Sequence, residues 1–424
     1  MSEVHLKPLS NSMAQSTKMR TADVVVVGGG ITGKACALGL AQLGLQTIEI
    51  APDLGQTCPN PSGNQWGQRI YAFSPSSQKL LARLQIWDAI DQSRLQPVQD
   101  MRIYGDRGEK NDFLHLSAFE AGTPQLAWIG ESNLIDHRLD QASRFQNKLE
   151  RVSTIVDKIS VDADGSTLHL KNGGSIRTQL VIAADGAHSA IRNNIGINAS
   201  EESYSQSALV TNWLCTYPHL ETAFQWFLPG RDIVAMLPLP GKQVSMVWST
   251  SPENATDLLK LNQAQWHEQL SSIANGAITK QLGELTLNSI PAAFPLRRMR
   301  AKRFIGPENH PKVALIGDTA HVMHPLAGQG LNLGLRDVAV LLNILGNRES
   351  FRSPSDRVLL RRYERQRQGD TSALLWVTDK LKKLFSASSS TERQLRNWGL
   401  GLVNKSHFIK QRLIERALGE IDFE

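Results

Sequence analysis

Residues 313–337 read Val313-Ala-Leu-Ile-Gly-Asp-Thr-Ala-His-Val-Met-His-Pro-Leu-Ala-Gly-Gln-Gly-Leu-Asn-Leu-Gly-Leu-Arg-Asp337, and they predict a strand, a loop and a helix. The stretch opens with an apolar run, Pro325 and two glycines then break regular structure, and leucines follow at helical spacing. The helix is predicted to begin near Gly330. A helix N-terminus behind a glycine-rich loop favours an anion, because its free N–H groups and the helix dipole both attract negative charge.

A second glycine-rich turn lies near the start of the chain. The apolar strand Asp23–Val27 runs directly into Gly28-Gly-Gly30-Ile-Thr-Gly33, a helix follows, and a further strand is predicted at Gln46–Ala51. A Gly-x-Gly-x-x-Gly pattern between strand and helix is the context of a dinucleotide site. In it Gly28 permits the tight turn, Gly30 lets a pyrophosphate approach the backbone, and Gly33 lets helix and strand pack closely.

Composition limits the classes of protein that the chain could belong to. With 424 residues, 41% of them hydrophobic and 20% charged, it is long enough for about two globular domains. No apolar run reaches the roughly 18 residues that a membrane-spanning helix needs. Three cysteines suggest a reducing compartment, so we expect a cytoplasmic protein, with peripheral contact at the inner face of a membrane as an open alternative.

Nucleic acid and metal are not expected as ligands. The net charge of +6 is mild, and no Lys/Arg run is dense enough for nucleic acid. His321 and His324 have a spacing that could ligate a metal, but no third ligand follows at a suitable position. No Ser/His/Asp arrangement is convincing either, so we assign no catalytic side chain.

The stretch around Asp318 resembles the second flavin motif of the FAD-dependent aromatic hydroxylases, most closely those of ubiquinone biosynthesis. The resemblance extends from about residue 22 nearly to the C-terminus. It implies that Asp318 contacts the ribityl or pyrophosphate part of FAD. It also implies that the loop to Asn332 passes along the isoalloxazine ring, with the following helix aimed at its pyrimidine edge. The cofactor-binding residues implied here are Gly317, Asp318, Pro325, Gly328, Gln329, Gly330, Leu331 and Asn332.

Two further segments resemble this family. The run Arg-x-x-Ala-x-Ser beginning at Arg69 is similar to a segment beneath the flavin, and places Arg69 near the ring or the phosphates. Ala-Asp185-Gly-x-x-Ser-x-x-Arg192 is similar to a third fingerprint, in which Asp185 helps to hold the pyrophosphate region by way of a neighbouring loop and Arg192 is a candidate contact for a pyridine nucleotide. The chain departs from the family at Gly67, where an acid is usual, and at His188, where arginine is common.

A third departure concerns the ribose of FAD. An acid normally ends the second strand of the dinucleotide fold, and the matching position here is Ala51. Glu49 and Asp53 each lie two residues away, and we prefer Asp53 because the strand end faces the ligand. The alternative is that the ribose contact is lost.

We expect an α/β fold similar to that of para-hydroxybenzoate hydroxylase. Its parts are a tail at 1–20, a Rossmann-type FAD-binding domain (21–100, 125–200 and 295–350), an inserted antiparallel-sheet substrate domain (101–124 and 201–294) and a helical C-terminal region (351–424). Five aromatic residues of the substrate domain either line a pocket over the flavin or form core: Trp213, Phe224, Trp226, Phe227 and Trp248. The basic C-terminal helices either lie on an anionic membrane or pack on their own protein.

The resemblance implies an FAD-dependent monooxygenase. NAD(P)H would reduce FAD as cosubstrate, and O₂ would supply the oxygen atom that enters an aromatic ring, most simply that of a polyprenylated phenol or quinone precursor. Two alternatives stay open. One is a flavin-dependent epoxidase or reductase of an isoprenoid, and the other is a degenerate member that serves as a scaffold in a biosynthetic complex.

Overall fold

A computed structural model describes residues 19–53, 66–67, 69–105, 113–228, 232–323 and 329–385. It contains three sheets and, among these residues, a set of helices that cover them. Residues 1–18 and the predicted C-terminal stretch beyond 385 lie outside the described residues. Arg20, which the sequence placed in a tail, is the first residue of a strand.

The largest part of the core surrounds a mainly parallel sheet. In spatial order its strands are β18 (Ile305–Gly306), β19 (Val313–Leu315), β11 (Ser175–Ala183), β1 (Arg20–Val27), β2 (Thr47–Ala51) and β8 (Leu149–Ser153). Only β18 runs antiparallel on this path, and β9 (Val156–Val161) and β10 (Ser166–Leu170) extend β11 as a meander. The apolar run of β1 is fully buried, as expected for a strand with helices on both faces.

Three long helices pack on this sheet: α1 (Ile31–Gln42), α3 (Ser132–Arg144) and α8 (Gln329–Gly346). The contact between α1 and α8 is close, because a Cβ on Gly39 would lie 2.3 Å from a methyl group of Leu342. The N-termini of α1 and α8 follow the carboxyl ends of β1 and of the β19 segment. They therefore point to the same edge of the sheet, where ligands of this fold bind.

A three-stranded sheet joins the two larger ones. It consists of β3 (Ile70–Phe73), β7 (Ala127–Glu131) and β4 (Gln96–Val98), and α2 (Pro75–Arg83) follows β3. The sequence did not predict a strand at Ile70–Phe73. These residues pair antiparallel with β7, a partner some sixty residues away that local patterning does not reveal.

The third sheet is nine-stranded and mainly antiparallel. In spatial order its strands are β20 (His321–Val322), β17 (Ala292–Ala301), β12 (Ala199–Cys215), β15 (Gln243–Thr250), β14 (Ile233–Leu239), β13 (Thr222–Phe227), β5 (Asp100–Tyr104) and β6 (Phe113–Ser117), with β16 (Leu285–Leu287) beside β12. Its outer face is covered by α5 (Pro252–Leu258), α6 (Gln263–Ser272) and α7 (Ala277–Leu282). Its inner face meets the three-stranded sheet, where Trp66, Val98 and Ile129 pack against Ala223 and Leu239.

The aromatic residues of this sheet form core and do not line a pocket. Trp213, Phe224, Trp226 and Trp248 are buried together with Trp266 of α6 on the outer face, while Phe227 packs separately on the inner face. Successive side chains of a strand point to opposite faces of a sheet, and these four aromatic side chains all lie on the face that the helices cover. The inner face is thereby left to smaller side chains.

The two remaining helices are α4 (Ala190–Asn194) and α9 (Arg357–Phe385). One turn of α9 bonds to the edge of the parallel sheet: the Tyr363 hydroxyl donates to Leu315 O at 2.7 Å, and Glu364 Oε1 accepts from Phe304 N–H at 2.9 Å. Within the described residues, every helix is too short or too polar to cross a bilayer. The α/β class expected from the sequence is confirmed.

Candidate active site

The turn between β1 and α1 contains glycines of two kinds. Gly28 has φ +130°, and a Cβ there would lie 2.1 Å from Ala184 O; a Cβ on Gly33 would lie 2.1 Å from Gly28 O. The fold itself requires glycine at both positions. Gly30 differs, since its φ of −79° suits any residue and a Cβ would meet no atom within 4 Å. The space in front of Gly30 adjoins the N-terminus of α1, so it fits a phosphate group of a dinucleotide.

The N-terminus of α8 offers a second open position. Gly330 lies in the first turn of α8, and a Cβ there would again meet nothing within 4 Å. Gln329 is the first residue of this helix and Leu331 is half-buried. The predicted contacts Pro325 and Gly328 lie outside the described residues. The open glycine and the helix terminus together fit the edge of a flat, electron-rich ring.

Asn332 has a structural role that the sequence did not predict. Its Oδ1 accepts from Ser74 N–H at 3.0 Å and from the Ser77 hydroxyl at 2.7 Å, and its Nδ2 donates to Ala72 O at 2.7 Å. The side chain is buried and thus anchors α8 to the β3–α2 connection. Only its backbone is left to contact a cofactor.

Gly317 and Asp318 form a tight turn directly after β19. Gly317 has φ +58°, and the side chain of Asp318 is exposed at this turn. The protein nevertheless surrounds the carboxyl closely enough that burial raises its pKa, an effect that His321, Arg297 and Arg69 partly oppose. Asp318 is therefore an acid at an exposed turn with basic side chains around it.

The turn is held by a buried charge cluster that the sequence did not predict. Asp337 Oδ2 accepts from Gly317 N–H at 2.8 Å and lies 2.7 Å from His321 Nε2, while Oδ1 accepts from Arg367 Nε at 2.6 Å. Burial acts to raise the pKa of Asp337, but His321 and Arg367 more than offset it and the pKa is lowered. Asp337 is thus an anion that fixes the residue preceding Asp318.

Asp185 also reaches this turn. Its carboxylate accepts from the Ser189 hydroxyl at 2.5 Å and from Ile191 N–H at 3.1 Å. The Thr319 hydroxyl donates to it at 3.3 Å and accepts from Gly186 N–H at 2.9 Å. Asp185 therefore contacts the Gly317–Thr319 turn, and its role in holding the pyrophosphate region stays a prediction.

Arg192 is not available to a nucleotide, contrary to expectation. It is buried, and it donates to Thr319 O at 3.0 Å and to Ala187 O at 2.9 Å. Two basic side chains nearby do face solvent: His188 is exposed and Arg297 is half-buried. Arg297 Nη1 lies 2.6 Å from His188 Nε2.

The Arg69 segment is fixed by the start of α3. Gly67 N–H donates to Glu131 Oε1 at 2.5 Å, and Glu131 is in turn paired with Arg94, whose guanidinium lies 4.0 Å from the ring centroid of Trp66. Arg69 itself is exposed, with its guanidinium 5.9 Å from the ring of Phe294. Arg69 also lies near enough to Asp318 to oppose part of the rise in the pKa of that carboxyl, so the two predicted residues lie near each other.

The Glu49 carboxylate is already paired with a basic side chain, so it is an unsuitable ligand for the ribose. Its Oε2 lies 2.8 Å from Arg151 Nε, and the same guanidinium lies 2.7 Å from Asp140, which also pairs with Lys34 at 3.0 Å. Burial raises the pKa of Glu49, with Arg151 opposing it. Asp53 is exposed just beyond the end of β2, so it is the better placed of the two acids.

The inner face of the nine-stranded sheet lies next to the segment that contains Arg69. One row of directly paired residues crosses seven strands: Ala292, Val210, Val247, Ala235, Gln225, Ile103 and Leu114. Six of the seven are apolar. The sheet adjoins the Arg69 segment, because Asn212 Nδ2 lies 3.4 Å from Gly67 O and Phe294 lies beneath Arg69. Across the described residues no cluster of three or more His, Cys, Asp or Glu could hold a metal.

Comparison with known proteins gives concordant results. The model of the family described as FAD binding domain matches residues 21–375. The chain is 32% identical over 399 residues to the 3-demethoxyubiquinol 3-hydroxylase of Escherichia coli, covering 94% of this chain and 98% of that one. It is 30% identical to the human mitochondrial ubiquinone biosynthesis monooxygenase COQ6, covering 93% and 92% of the two chains.

Solved structures show the same fold at lower identity. The p-nitrophenol 4-monooxygenase PnpA of Pseudomonas putida superposes with a TM-score of 0.72 at 20% identity, covering 95% of this chain and 100% of that one. HpxO of Klebsiella pneumoniae, solved with FAD and uric acid, superposes with a TM-score of 0.69 at 19% identity, covering 95% and 97%.

Proposed function

Because this chain belongs to the FAD binding domain family and is an FAD-dependent monooxygenase, we propose that it hydroxylates the ring of a polyprenylated phenol in ubiquinone biosynthesis. When bound, FAD supplies the redox chemistry, taking electrons from NAD(P)H and delivering one oxygen atom of O₂ to the ring. The observation that carries the substrate class is the wall of small apolar side chains on the inner sheet face. Such a wall suits an apolar ring and offers no cation for a substrate carboxylate.

The chain's own residues would divide the work as follows. Gly28, Gly30 and Gly33 shape the phosphate site at the N-terminus of α1, and Asp53 would meet the ribose. The first turn of α8, from Gln329 to Leu331, would place N–H groups where negative charge develops on the ring.

Asp318 would accept hydrogen bonds from the polyol chain of the cofactor, and Arg69 would lie against the ring or the phosphates. The division into an FAD-binding domain and a substrate domain of 101–124 with 201–294 is part of this proposal. It is supported by β5 and β6 joining β12–β16 in one sheet.

NAD(P)H would approach from the side of His188 and Arg297. Both side chains are accessible, Arg297 lies near Asp318 and His188 lies against Arg297, while Arg192 is buried. An accessible cation near the cofactor is suited to a dinucleotide phosphate. The described residues contain a single Gly-x-Gly-x-x-Gly turn, so transient binding over the cleft fits better than a dedicated nucleotide domain.

An absorbance spectrum of the purified protein with and without added FAD tests the proposal. We expect a flavin band that bleaches under anaerobic NADPH or NADH, recovers with O₂, and yields hydroxylated product from a prenylated phenol. Bleaching that responds to prenyl lipids without phenol hydroxylation would favour an epoxidase or reductase. A protein that stays colourless with excess FAD would contradict the proposal and favour a scaffold.

Gly30→Glu tests the location of the site, with Gly369→Glu as matched control. Both glycines have open space where a Cβ would be built, so neither substitution should unfold the protein. A carboxylate at the N-terminus of α1 would repel and obstruct the cofactor phosphates. We expect loss of FAD binding in Gly30→Glu alone, measured by flavin fluorescence titration; full FAD retention in that variant would overturn the assignment.

A further inference from the structure

The apolar row on the inner sheet face is open at one end and closed at the other. Ala292, Val210, Val247 and Ala235 are half-buried, whereas Leu114 at the far end is buried. Leu114 packs there with Phe227 and Ile233 in a small apolar cluster. The row is therefore accessible beside β17, near Phe294 and Arg69, and becomes buried at Gln225 of β13, although Ile103 beyond it is again half-buried.

The length of the open part fits two flat molecules side by side. Four strand spacings separate Ala292 on β17 from Gln225 on β13, which amounts to about 19 Å at roughly 4.8 Å each. The cofactor ring, if bound beside Arg69, would cover the end near β17. The substrate ring would then lie over β14 and β13, between Ala235 and the closed end.

Gln225 is the only polar side chain in this row. It is 5% exposed, and its amide is not one of the fully buried, unpartnered polar groups of the described residues. Its neighbours on β13, Phe224 and Trp226, point into the core on the opposite face, so strand alternation directs Gln225 to the cleft. A hydroxyl group can hydrogen-bond this amide, and an analogue without a hydroxyl donor cannot make the same bonds.

We propose that the Gln225 amide hydrogen-bonds the ring hydroxyl of the phenolic substrate and so sets the recognition of a phenol over an ether or a plain arene. The inference rests on the proposed function and deepens it. An amide both donates and accepts, so it can bind the hydroxyl in its neutral form and can donate to the oxygen when that oxygen carries negative charge. Gln225 is not a base, and its role is specificity and orientation.

The position at the closed end also orients the substrate. With its hydroxyl on Gln225, the ring lies on Ala235 and Val247, and its opposite edge faces the open end where the cofactor would lie. A polar site that recognises a hydroxyl rejects an analogue lacking it far more strongly than an apolar pocket rejects an added group. Discrimination between a phenol and its methyl ether is therefore the property that Gln225 should control.

The test compares Gln225→Leu and Gln225→Met with wild type in the FAD-loaded protein, with ortho-prenylphenol and its O-methyl ether as probes. The dissociation constant of each probe is measured from its perturbation of the flavin spectrum, and kcat/KM from product formation. We expect the preference of wild type for the phenol to fall by roughly tenfold or more in both variants. FAD affinity and the rate of anaerobic flavin reduction should not change.

Gln281→Leu is the matched control, since Gln281 lies on α7 behind the sheet. It should keep the wild-type preference. The inference is overturned if Gln225→Leu and Gln225→Met, folded and flavin-loaded, discriminate the probes as wild type does. A wild-type protein that binds FAD but hydroxylates no phenol would instead refute the proposed function, so the two failures are distinguishable.

Discussion

The carboxyl of Asp318 combines access to solvent with a pKa that its surroundings raise. A raised folded-state pKa means that the folded protein binds this proton more tightly than the unfolded chain does. The protonated Asp318 carboxyl therefore stabilises the folded state below the ordinary aspartate pKa of about 3.9. This stabilisation is lost as the pH rises through the raised pKa of the folded protein. At neutral pH the ionised carboxylate therefore disfavours the folded apoprotein, as expected at a binding site.

The substitution Asp318→Asn should separate the effect of the carboxylate on stability from its effect on FAD binding. Removing the charge relieves the neutral-pH penalty, so we expect a higher melting temperature of the apoprotein at pH 7 and a smaller difference near pH 4. FAD affinity should fall roughly tenfold or more, because an amide is a weaker acceptor than a carboxylate. Scanning calorimetry and FAD titration measure the two quantities. Asp88→Asn, at an exposed acid in a short turn before β4, is the control; equal FAD affinity in Asp318→Asn would contradict the assignment.

Residues whose role depends on local backbone could be predicted from sequence, and those whose role depends on distant partners could not. Gly28 and Gly33 are required by contacts within one strand-turn-helix unit, which the Gly-x-Gly-x-x-Gly spacing encodes. Arg192 was misjudged because the carbonyl of Thr319, 127 residues away, takes its guanidinium. Gln225 was missed for the same reason, since only the pairing of six other strands shows that it lies in an apolar row.

At the scale of elements, α9 is joined to the turn that presents Asp318. Arg367 of α9 is fully buried and donates to Asp337 of α8, which accepts from Gly317 N–H. The C-terminal helix thus contributes a positioning residue to a site formed by elements far from it in sequence. The sequence indicated the helix from its basic and apolar spacing, but gave no sign that one arginine turns inward.

Arg367→Met should weaken FAD binding as well as stability. Removing one partner of a buried ion pair leaves Asp337 poorly compensated, and destabilisation of about 3–5 kcal/mol is expected. Without Arg367 the Asp337 carboxylate no longer holds Gly317 in one position, so FAD affinity measured well below the melting temperature should also fall. Arg361→Met, at an exposed position of the same helix, is the control.

Rescue by a conservative variant distinguishes a role of Arg367 in positioning Gly317 from a role in stability alone. Arg367→Lys keeps the charge and should restore part of the FAD affinity, even if it restores little of the melting temperature because lysine lacks the planar fork. If Arg367→Met unfolds at a lower temperature but binds FAD as wild type does, α9 has only a structural role.

A helix or strand could be predicted from the sequence where its own pattern of apolar residues is enough to specify it. The strands β1 and β11 and the helices α1, α3 and α8 follow from apolar runs and helical periodicity. Strand β3 was not predicted, because it depends on pairing with β7. The placement of Trp213, Trp226 and Trp248 could not be decided from alternation alone, since period two identifies two faces but not which one meets the helix layer.

At the scale of the whole molecule, the proposed function requires the protein to receive a substrate that partitions into a bilayer. Arg357, Arg361 and Arg365 recur every fourth residue on the exposed side of α9, and none of the three has an ion pair among the described residues. Unpaired arginines in one stripe attract an anionic surface, with about 1 kcal/mol for each charge close to it. We propose that this stripe holds the enzyme at an anionic membrane.

We expect co-sedimentation with phosphatidylglycerol vesicles to weaken by roughly 100-fold when Arg357, Arg361 and Arg365 are all replaced by Gln. Three contributions of about 1 kcal/mol each add up to a change of that size. The side chains are exposed, so FAD affinity and turnover of a water-soluble short-chain phenol should not change. The charge-matched control replaces Lys148, Lys158 and Lys171, which are exposed around the β8–β10 region, and should bind vesicles as wild type does. Binding of wild type should also weaken steeply with added salt, because the attraction is screened. Equal loss in both triple variants would show that net charge alone drives the association, and unchanged binding of the α9 variant would show that another surface meets the membrane.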